Sequence, residues 1–482
     1  MQTIDPEGVI ETHLKHGSLS VTETIGHLKR GSLSLPETIG QSIANIAPTI
    51  TPALNIVVVA GIAGVGSWIS YLIATVGCVL VGSSIATLAK RHPEAGSYFI
   101  YIGRNLGSIP GALAGWMMIL AYLCTGIAIL AGGTIYINTI LAPLNLQLST
   151  GELTVYGFML LVGCTYAAFR DVQMSSRAGL GLEIISISII VAITVLVIAK
   201  KGSVVDPHQL DISKLHFGGI MSAMAFAVFS FCGFESSATL AKEAKNPQRA
   251  IPYAVIGSVA AVGLFFTVMC YLMVFGCDDN TTQIANSAAP FSDMTKAAHL
   301  PWAAVVVYFA ASISSFACLM ACLTAGSRML YSMSRYQFLH ASMGKVHETH
   351  KTPYIALFFS SAVVLVAYLA IAPEQGFINA FDIYGTLASY GFIFVYLGVS
   401  IVASLDMRKA GLLTPWHVLA SIGGAGLMLF VIYSSVIPWP TAPCQYLPQI
   451  FVAYVIAGLL WFAYLKVKSP QTLAGIVHDL EG

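Results

Sequence analysis

Few side chains in this sequence are equipped for chemistry, and most of those sit inside long apolar runs. Glu235 ends the stretch Phe229-Ser-Phe-Cys-Gly-Phe-Glu, two residues after Gly233. Glu183 opens a run that reaches Ala199 without another charge. Ala311, Ser314 and Ser315 fall close together in Tyr308-Phe-Ala-Ala-Ser-Ile-Ser-Ser. Thr49 and Thr51 lie between two prolines in Asn45-Ile-Ala-Pro-Thr-Ile-Thr-Pro. Each set suggests a chemistry. A carboxyl in such a run needs a reason, because a charge at a bilayer centre costs about 2.5–3.5 kcal/mol even on the lenient insertion scale. Adjacent hydroxyls beside a backbone carbonyl suit sodium, a hard cation that takes oxygen ligands. Prolines remove backbone donors and free the carbonyls one turn back. By contrast, no Gly-rich phosphate loop, Cys-x-x-Cys pair or nucleophile elbow is present. Cys318 and Cys322 sit one turn apart and His347-Glu-Thr-His350 has a ligand-like look, but neither has a third ligand nearby. They read as packing residues and as a solvated loop.

The elements that must hold these residues are membrane helices. Hydrophobic residues make up 56% of the 482 and charged residues 9%, with a net charge of +1 and a mean hydropathy of +0.78. A soluble domain uses roughly 25% charged residues. Too little polar surface remains to cover a soluble core. A nucleic-acid binder, a disordered chain and an ordinary cytosolic enzyme are excluded, and the apolar runs are too long and continuous for β-barrel strands. The nine cysteines, mostly inside apolar runs, read as small packing residues rather than a disulfide framework. At roughly 20 residues per span, the uncharged stretch 38–89 holds two helices and 105–151 a third. Further spans are expected near 152–169, 178–199, 217–241, 250–276, 300–327, 353–372 and 377–405, with two more in 410–465. That predicts an all-α protein of twelve transmembrane helices. Of its 23 Lys and Arg, only Lys200, Lys201, Lys214 and Lys296 fall on one side of those helices. By the positive-inside rule both termini are cytoplasmic. The polar first 36 residues carry no signal-peptide core. They hold a tandem duplication, His13–Gly26 and His27–Gly40, whose second copy runs into the first span.

Two spans are abnormal. The first contains Pro48 and Pro52, and the sixth contains Gly233 followed by Glu235. Kinked structural helices are one reading. The other is a transport site, because paired interruptions in corresponding halves point to a binding site at the bilayer midplane. There the half-helix ends offer N–H groups and positive dipole ends to an anionic substrate group.

The sixth span and the loop after it carry a resemblance. Phe229-Ser-Phe-Cys-Gly-Phe-Glu-Ser-Ser-Ala-Thr, followed by Lys242-Glu-Ala-Lys-Asn-Pro-Gln-Arg-Ala-Ile-Pro252, resembles the signature of the amino acid–polyamine–organocation transporters. Pro93-Glu-Ala-Gly-Ser-Tyr98, Ser334-Arg335, Gly344-Lys-Val-His347 and Lys351-Thr-Pro353 are similar to that family's inner loops, and the likeness covers roughly residues 34–470. It implies a five-plus-five inverted repeat with two extra helices, carrying amino acids or related amines. The implied organisation is a tail over 1–36, repeats over 37–199 and 200–407, two further helices over 408–466, and a tail over 467–482. One feature departs from the family: its Gly-rich run in the first helix is replaced here by Pro48 and Pro52.

From the interruptions and the resemblance, the substrate pocket is expected to involve Ala47, Thr49, Ile50, Thr51, Phe229, Cys232, Gly233 and Phe234, with Tyr122 placed by the family's third-helix geometry. Glu235 occupies the position of a proton-sensitive gate in some members, and it also reads as a cap of the second half-helix. Glu183 reads as a partner of Arg177 or as snorkelling inward, or else as part of a proton path. Asp382 reads as solvated or capping. Arg104, Tyr98 and Tyr101 read as an amphipathic segment at the inner surface. Ala311, Ser314 and Ser315 resemble a sodium site, completed by carbonyls of Ala47 and Ile50; small-residue helix packing is the alternative. No cofactor is expected beyond this candidate Na+. The expected function is import of an amino acid or amine across the cell membrane, coupled to sodium or protons. Exchange or uniport without ion coupling, an intramembrane enzyme and a transport-derived receptor are the competing readings. An enzyme would need catalytic groups meeting in the membrane, and only Glu183 and Glu235 are candidates.

Overall fold

The computed structural model describes residues 28–93 and 97–468. The first repeat copy His13–Gly26, the loop residues 94–96 of the second-span motif and the tail 469–482 lie outside the described residues. The rest is helical, and ten helices are long and apolar enough to cross a membrane.

The first expected span is two helices, α1 (Leu35–Ile46) and α2 (Ile50–Ala63). Ser34 caps α1, and Glu37 answers by accepting the Ser34 N–H at 2.6 Å. The helix stops where Ala47 turns left-handed, with φ 54°. Thr51 bridges the break. Its hydroxyl donates to the Ile46 carbonyl at 2.8 Å and its N–H to the Ala47 carbonyl at 3.0 Å.

Then come α3 (Ser67–Arg91), α4 (Ser97–Leu106), α5 (Ser108–Leu141), α6 (Thr150–Arg170) and α7 (Val172–Lys201). The sixth expected span is broken into α8 (Phe217–Ser222), α9 (Met224–Phe229) and a tight helical turn over Ser236–Leu240. From 228 to 238 the backbone bonds skip only three residues: Phe231 N–H to Val228, Cys232 to Phe229, Phe234 to Phe231, Ser236 to Gly233 and Ala238 to Glu235. This tighter winding is poorer in geometry and is used in short pieces, often at hinges. Gly233 stands at its centre with φ 102°. Long helices complete the bundle: α10 (Pro247–Gly276), α11 (Pro301–Arg335), α12 (Tyr354–Gln375), α13 (Phe377–Lys409), α14 (Pro415–Val436) and α15 (Leu447–Lys468).

The packing sorts these helices by composition. In α5 the most apolar window is 83% buried, whereas in α15 it is 17% buried. With no water to exclude in a bilayer, this contrast separates a central post from a lipid-facing helix. The post is flanked by α11 and α13, and α3 packs on α10.

One end of the bundle is tied shut by charge. Arg328 and Glu243, both nearly fully buried, form a two-pronged pair at 2.5 and 3.0 Å. Leu33 pairs with this loop through its N–H to Glu243 (2.9 Å) and its carbonyl to Lys245 (2.8 Å). Arg177 pairs with Glu37, and Lys29 with Asp171 at 3.1 Å. The Arg177–Glu183 pairing is therefore corrected: Arg177 has another acid. Tyr98 and Tyr101 are corrected too. Both are fully buried, because α4 turns into the protein and brings the Tyr98 hydroxyl to the Glu235 carbonyl at 2.8 Å. Arg104 stays half-buried against His92 at 3.1 Å.

Candidate functional site

The two interruptions face each other. A Cβ placed on Gly233 would lie 2.9 Å from Asn45 Cγ and 3.0 Å from the Asn45 carbonyl oxygen. Backbone from the sixth break thus lies directly on the end of α1, and only glycine fits both the contact and the positive φ. Beyond the contact a small cavity opens. Its polar lining is Asn45, Thr51, Asn55, Thr125 and Ser230; its apolar lining is Ile46, Leu54, Ala128, Ile129, Phe229, Cys232 and Phe381. No acid or base is among these residues.

Glu235 lies next to Gly233, fully buried. Tyr122 from α5 donates to its Oε1 at 2.9 Å. Tyr396 from α13 donates to Oε2, and the Gly233 N–H reaches the same oxygen at 3.1 Å. The acid therefore ties the sixth break to the central post and to α13.

A second buried acid lies on the other side of the first break. Glu183 of α7 is fully buried. Ser314 of α11 donates to its Oε1 at 2.7 Å, and Ser186 approaches its Oε2 at 3.3 Å. Ser186 in turn accepts from Thr49 at 3.1 Å. The Ser315 hydroxyl donates to the Ala311 carbonyl at 2.8 Å. Ser314 thus joins the expected proton residue, linking α7 and α11 to the break at Thr49, whereas Ser315 faces Gly133 of α5.

Residues 38–470 match the family model for amino acid permeases. The chain belongs to the amino acid permease family. It is similar to the branched-chain amino acid permease BcaP of Bacillus subtilis, at 26% identity over 72% of this chain and 76% of that protein. BcaP of Lactococcus lactis is 27% identical over 78% and 83%. The gamma-aminobutyric acid permease of Escherichia coli is 24% identical over 72% and 74%. A multi-pass membrane protein of an amino acid transport family is what the helices and these relatives describe, and the relatives are named as permeases rather than enzymes.

In this permease the residues expected at the pocket divide. Thr51, Phe229 and Cys232 line the cavity. Ala47, Thr49, Ile50, Gly233 and Phe234 are buried at the breaks beside it, and Tyr122 is engaged by Glu235. Asn45, Asn55, Thr125 and Phe381 line the cavity without having been marked by sequence. Asp382 is half-buried in the first turns of α13. The loop His347–His350 is compact, its two imidazoles stacked 4.9 Å apart.

One further group of ligand-type atoms lies outside the spans. Asp206, His208 and Asp279 bring theirs within 4.8 Å of one another. Burial, and then the neighbouring Asp206 carboxyl, pushes Asp279 above the usual carboxylate range. His208 Nδ1 faces Asp279 at 3.1 Å.

Proposed function

We propose that this permease imports a neutral amino acid with an aliphatic side chain by alternating access. The observation that carries this reading is the cavity between the two interruptions, whose lining holds no charged side chain. Leu54, Ile129, Phe229 and Phe381 supply apolar surface for a side chain, while Asn45, Thr51 and the freed backbone supply polar partners for the main-chain groups. An acidic, basic or polyamine substrate would leave a charge unanswered there. The similarity to permeases named for branched-chain amino acids agrees with this choice.

In this reading α1 with α2 form the first span and α8 with α9 and the turn after them form the sixth. That gives twelve spans, a five-plus-five inverted repeat and both termini in the cytoplasm, with the protein in the cell membrane. The coupling ion binds at the Glu183 cluster. Full burial of Glu183, with Arg177 paired to Glu37 instead, supports a proton there. A sodium ion held by Ala311, Ser314 and Ser315 with carbonyls of Ala47 and Ile50 is the second reading, supported by the oxygen-rich chemistry of that set.

Uptake of labelled leucine into proteoliposomes, with a pH gradient or a sodium gradient imposed separately, tests both. Concentrative uptake under one gradient identifies the ion. Uptake that follows neither gradient overturns coupling and leaves exchange or uniport. Competition by lysine, glutamate or putrescine as strong as by isoleucine overturns the neutral aliphatic substrate.

A further inference from the structure

Asn45 ends α1 in an unusual state. It is 2% exposed and lines the cavity. Among the described residues no acceptor reaches its Nδ2. Its two acceptor oxygens are held by thiols. Cys322 Sγ approaches Asn45 Oδ1 at 2.9 Å, and Cys318 Sγ approaches the Asn45 carbonyl at 3.3 Å. Both cysteines are buried and sit one turn apart on α11.

The backbone contact has a simple origin. Because α1 stops at Ile46, the Asn45 carbonyl lies in its last turn, where helix carbonyls lack an intrahelical partner. A thiol takes that place. The side-chain contact does something different. A thiol donates only weakly, but it donates to oxygen. With the Cys322 thiol donating to Oδ1, Nδ2 is left as the uncommitted donor of an amide whose residue lines the cavity. An unpaired buried N–H costs roughly 1–3 kcal/mol, so its persistence calls for a ligand acceptor.

We propose that Asn45 is a substrate-binding residue whose Nδ2 donates to the carboxylate of the bound amino acid, and that Cys322 and Cys318 are positioning residues that hold it so. The inference rests on the amino acid reading above. Donors are scarce at this end of the site, which is why a side chain serves. Pro48 and Pro52 have no N–H, and the Thr51 N–H is already committed to Ala47. Thr49 and Ile50 alone remain in the stretch from 48 to 52 to offer amides. A neutral amide donor addresses an acceptor and cannot serve the substrate ammonium, so the carboxylate is its target.

The test compares leucine with leucinamide, which replaces the carboxylate by an uncharged amide. Affinities are measured in proteoliposomes for the full chain and for Asn45→Ala, Asn45→Asp, Cys322→Ala and Cys322→Ser. A hydrogen bond to a charged group corresponds to about ten- to a hundredfold in affinity. Asn45→Ala is expected to lose that much for leucine and far less for leucinamide. Asn45→Asp, of the same shape, is expected to lose more, because it sets a second carboxyl against the first. Cys322→Ala is expected to lose about threefold of the preference for leucine, and Cys322→Ser, which keeps a donor, to retain it. Equal losses for leucine and leucinamide in both Asn45 variants, or no loss, overturn the role of Asn45. Identical behaviour of Cys322→Ala and Cys322→Ser overturns the positioning role. A wild-type protein that binds no neutral amino acid overturns the substrate reading and this inference with it, whereas the preceding outcomes overturn the inference alone.

Discussion

Glu235 and Glu183 are both fully buried acids at the edges of the same pair of helix breaks, and they are held in different ways. Two phenols and a backbone N–H point at Glu235. The N–H cannot reverse its role. Among the described residues the Glu183 carboxyl receives its hydrogen bonds from serine hydroxyls, each of which can turn to donate or accept. Adding a proton to Glu235 therefore sets donor against donor unless Tyr122 or Tyr396 turns or moves. Adding one to Glu183 needs only a hydroxyl rotation. The proposed roles follow this difference: in that reading a proton at Glu235 requires a phenol hydroxyl to turn on the acid that ties the sixth break to α5 and α13, and a proton or cation at Glu183 is met by serine rotation.

The wall beside Glu235 gives the largest expected effect. Gly233→Leu puts a side chain against Asn45 Cγ and the Asn45 carbonyl, in a backbone conformation that only glycine tolerates well. Uptake should vanish while membrane insertion, followed by detergent extraction and size exclusion, remains. Normal uptake would break the comparison at its root, since Gly233 would then not adjoin the site. Next comes Glu235→Gln. The amide keeps the shape and removes the titration. The pH dependence of uptake should flatten and the maximal rate fall about tenfold or more, with leucine binding still measurable. An unchanged pH profile in the folded variant would reduce Glu235 to a cap.

Parts of this site were legible in sequence because their signals are local. Pro48 and Pro52, or Gly233 and Glu235, break an apolar run in a way that no lipid-facing helix needs, so both breaks could be located. The helix limits followed from the charges that bound them. What could not be read is the pairing across the bundle. Tyr396 is 161 residues from the Glu235 it serves, and Ser314 is 131 from Glu183. Neither spacing has a period. Tyr98 and Tyr101 misled for the same reason: tyrosines near the positive loops look like surface residues until α4 is seen to turn inward. Asn45 carries no local signal beside Pro48 and Pro52, because its contacts come from two thiols more than 270 residues away.

The two smaller tests separate the acids from each other. Ser314→Ala with Ser315→Ala removes the Ser314 hydroxyl at Glu183 and the Ser315 hydroxyl on the Ala311 carbonyl, and leaves every contact of Glu235 in place. The coupling-ion requirement, measured as the sodium or proton concentration for half-maximal uptake, should shift severalfold. The pH response that Glu235→Gln removes should survive in this variant. Loss of that response would merge the two sites into one.

The last and smallest effect concerns stability. Tyr396→Phe deletes a donor to a buried oxygen whose other donor is the Gly233 N–H only two residues away, so Glu235 is left short of a partner. That should cost about 1–3 kcal/mol, read as a lowered unfolding temperature in detergent. Ser186→Ala removes a contact of 3.3 Å from an acid that keeps Ser314. Its cost should be about 0.5–1 kcal/mol. The order matters more than either value. If Ser186→Ala proves the more damaging, Glu183 is the rigidly held acid and Glu235 the adaptable one, and the gate and the ion site exchange places.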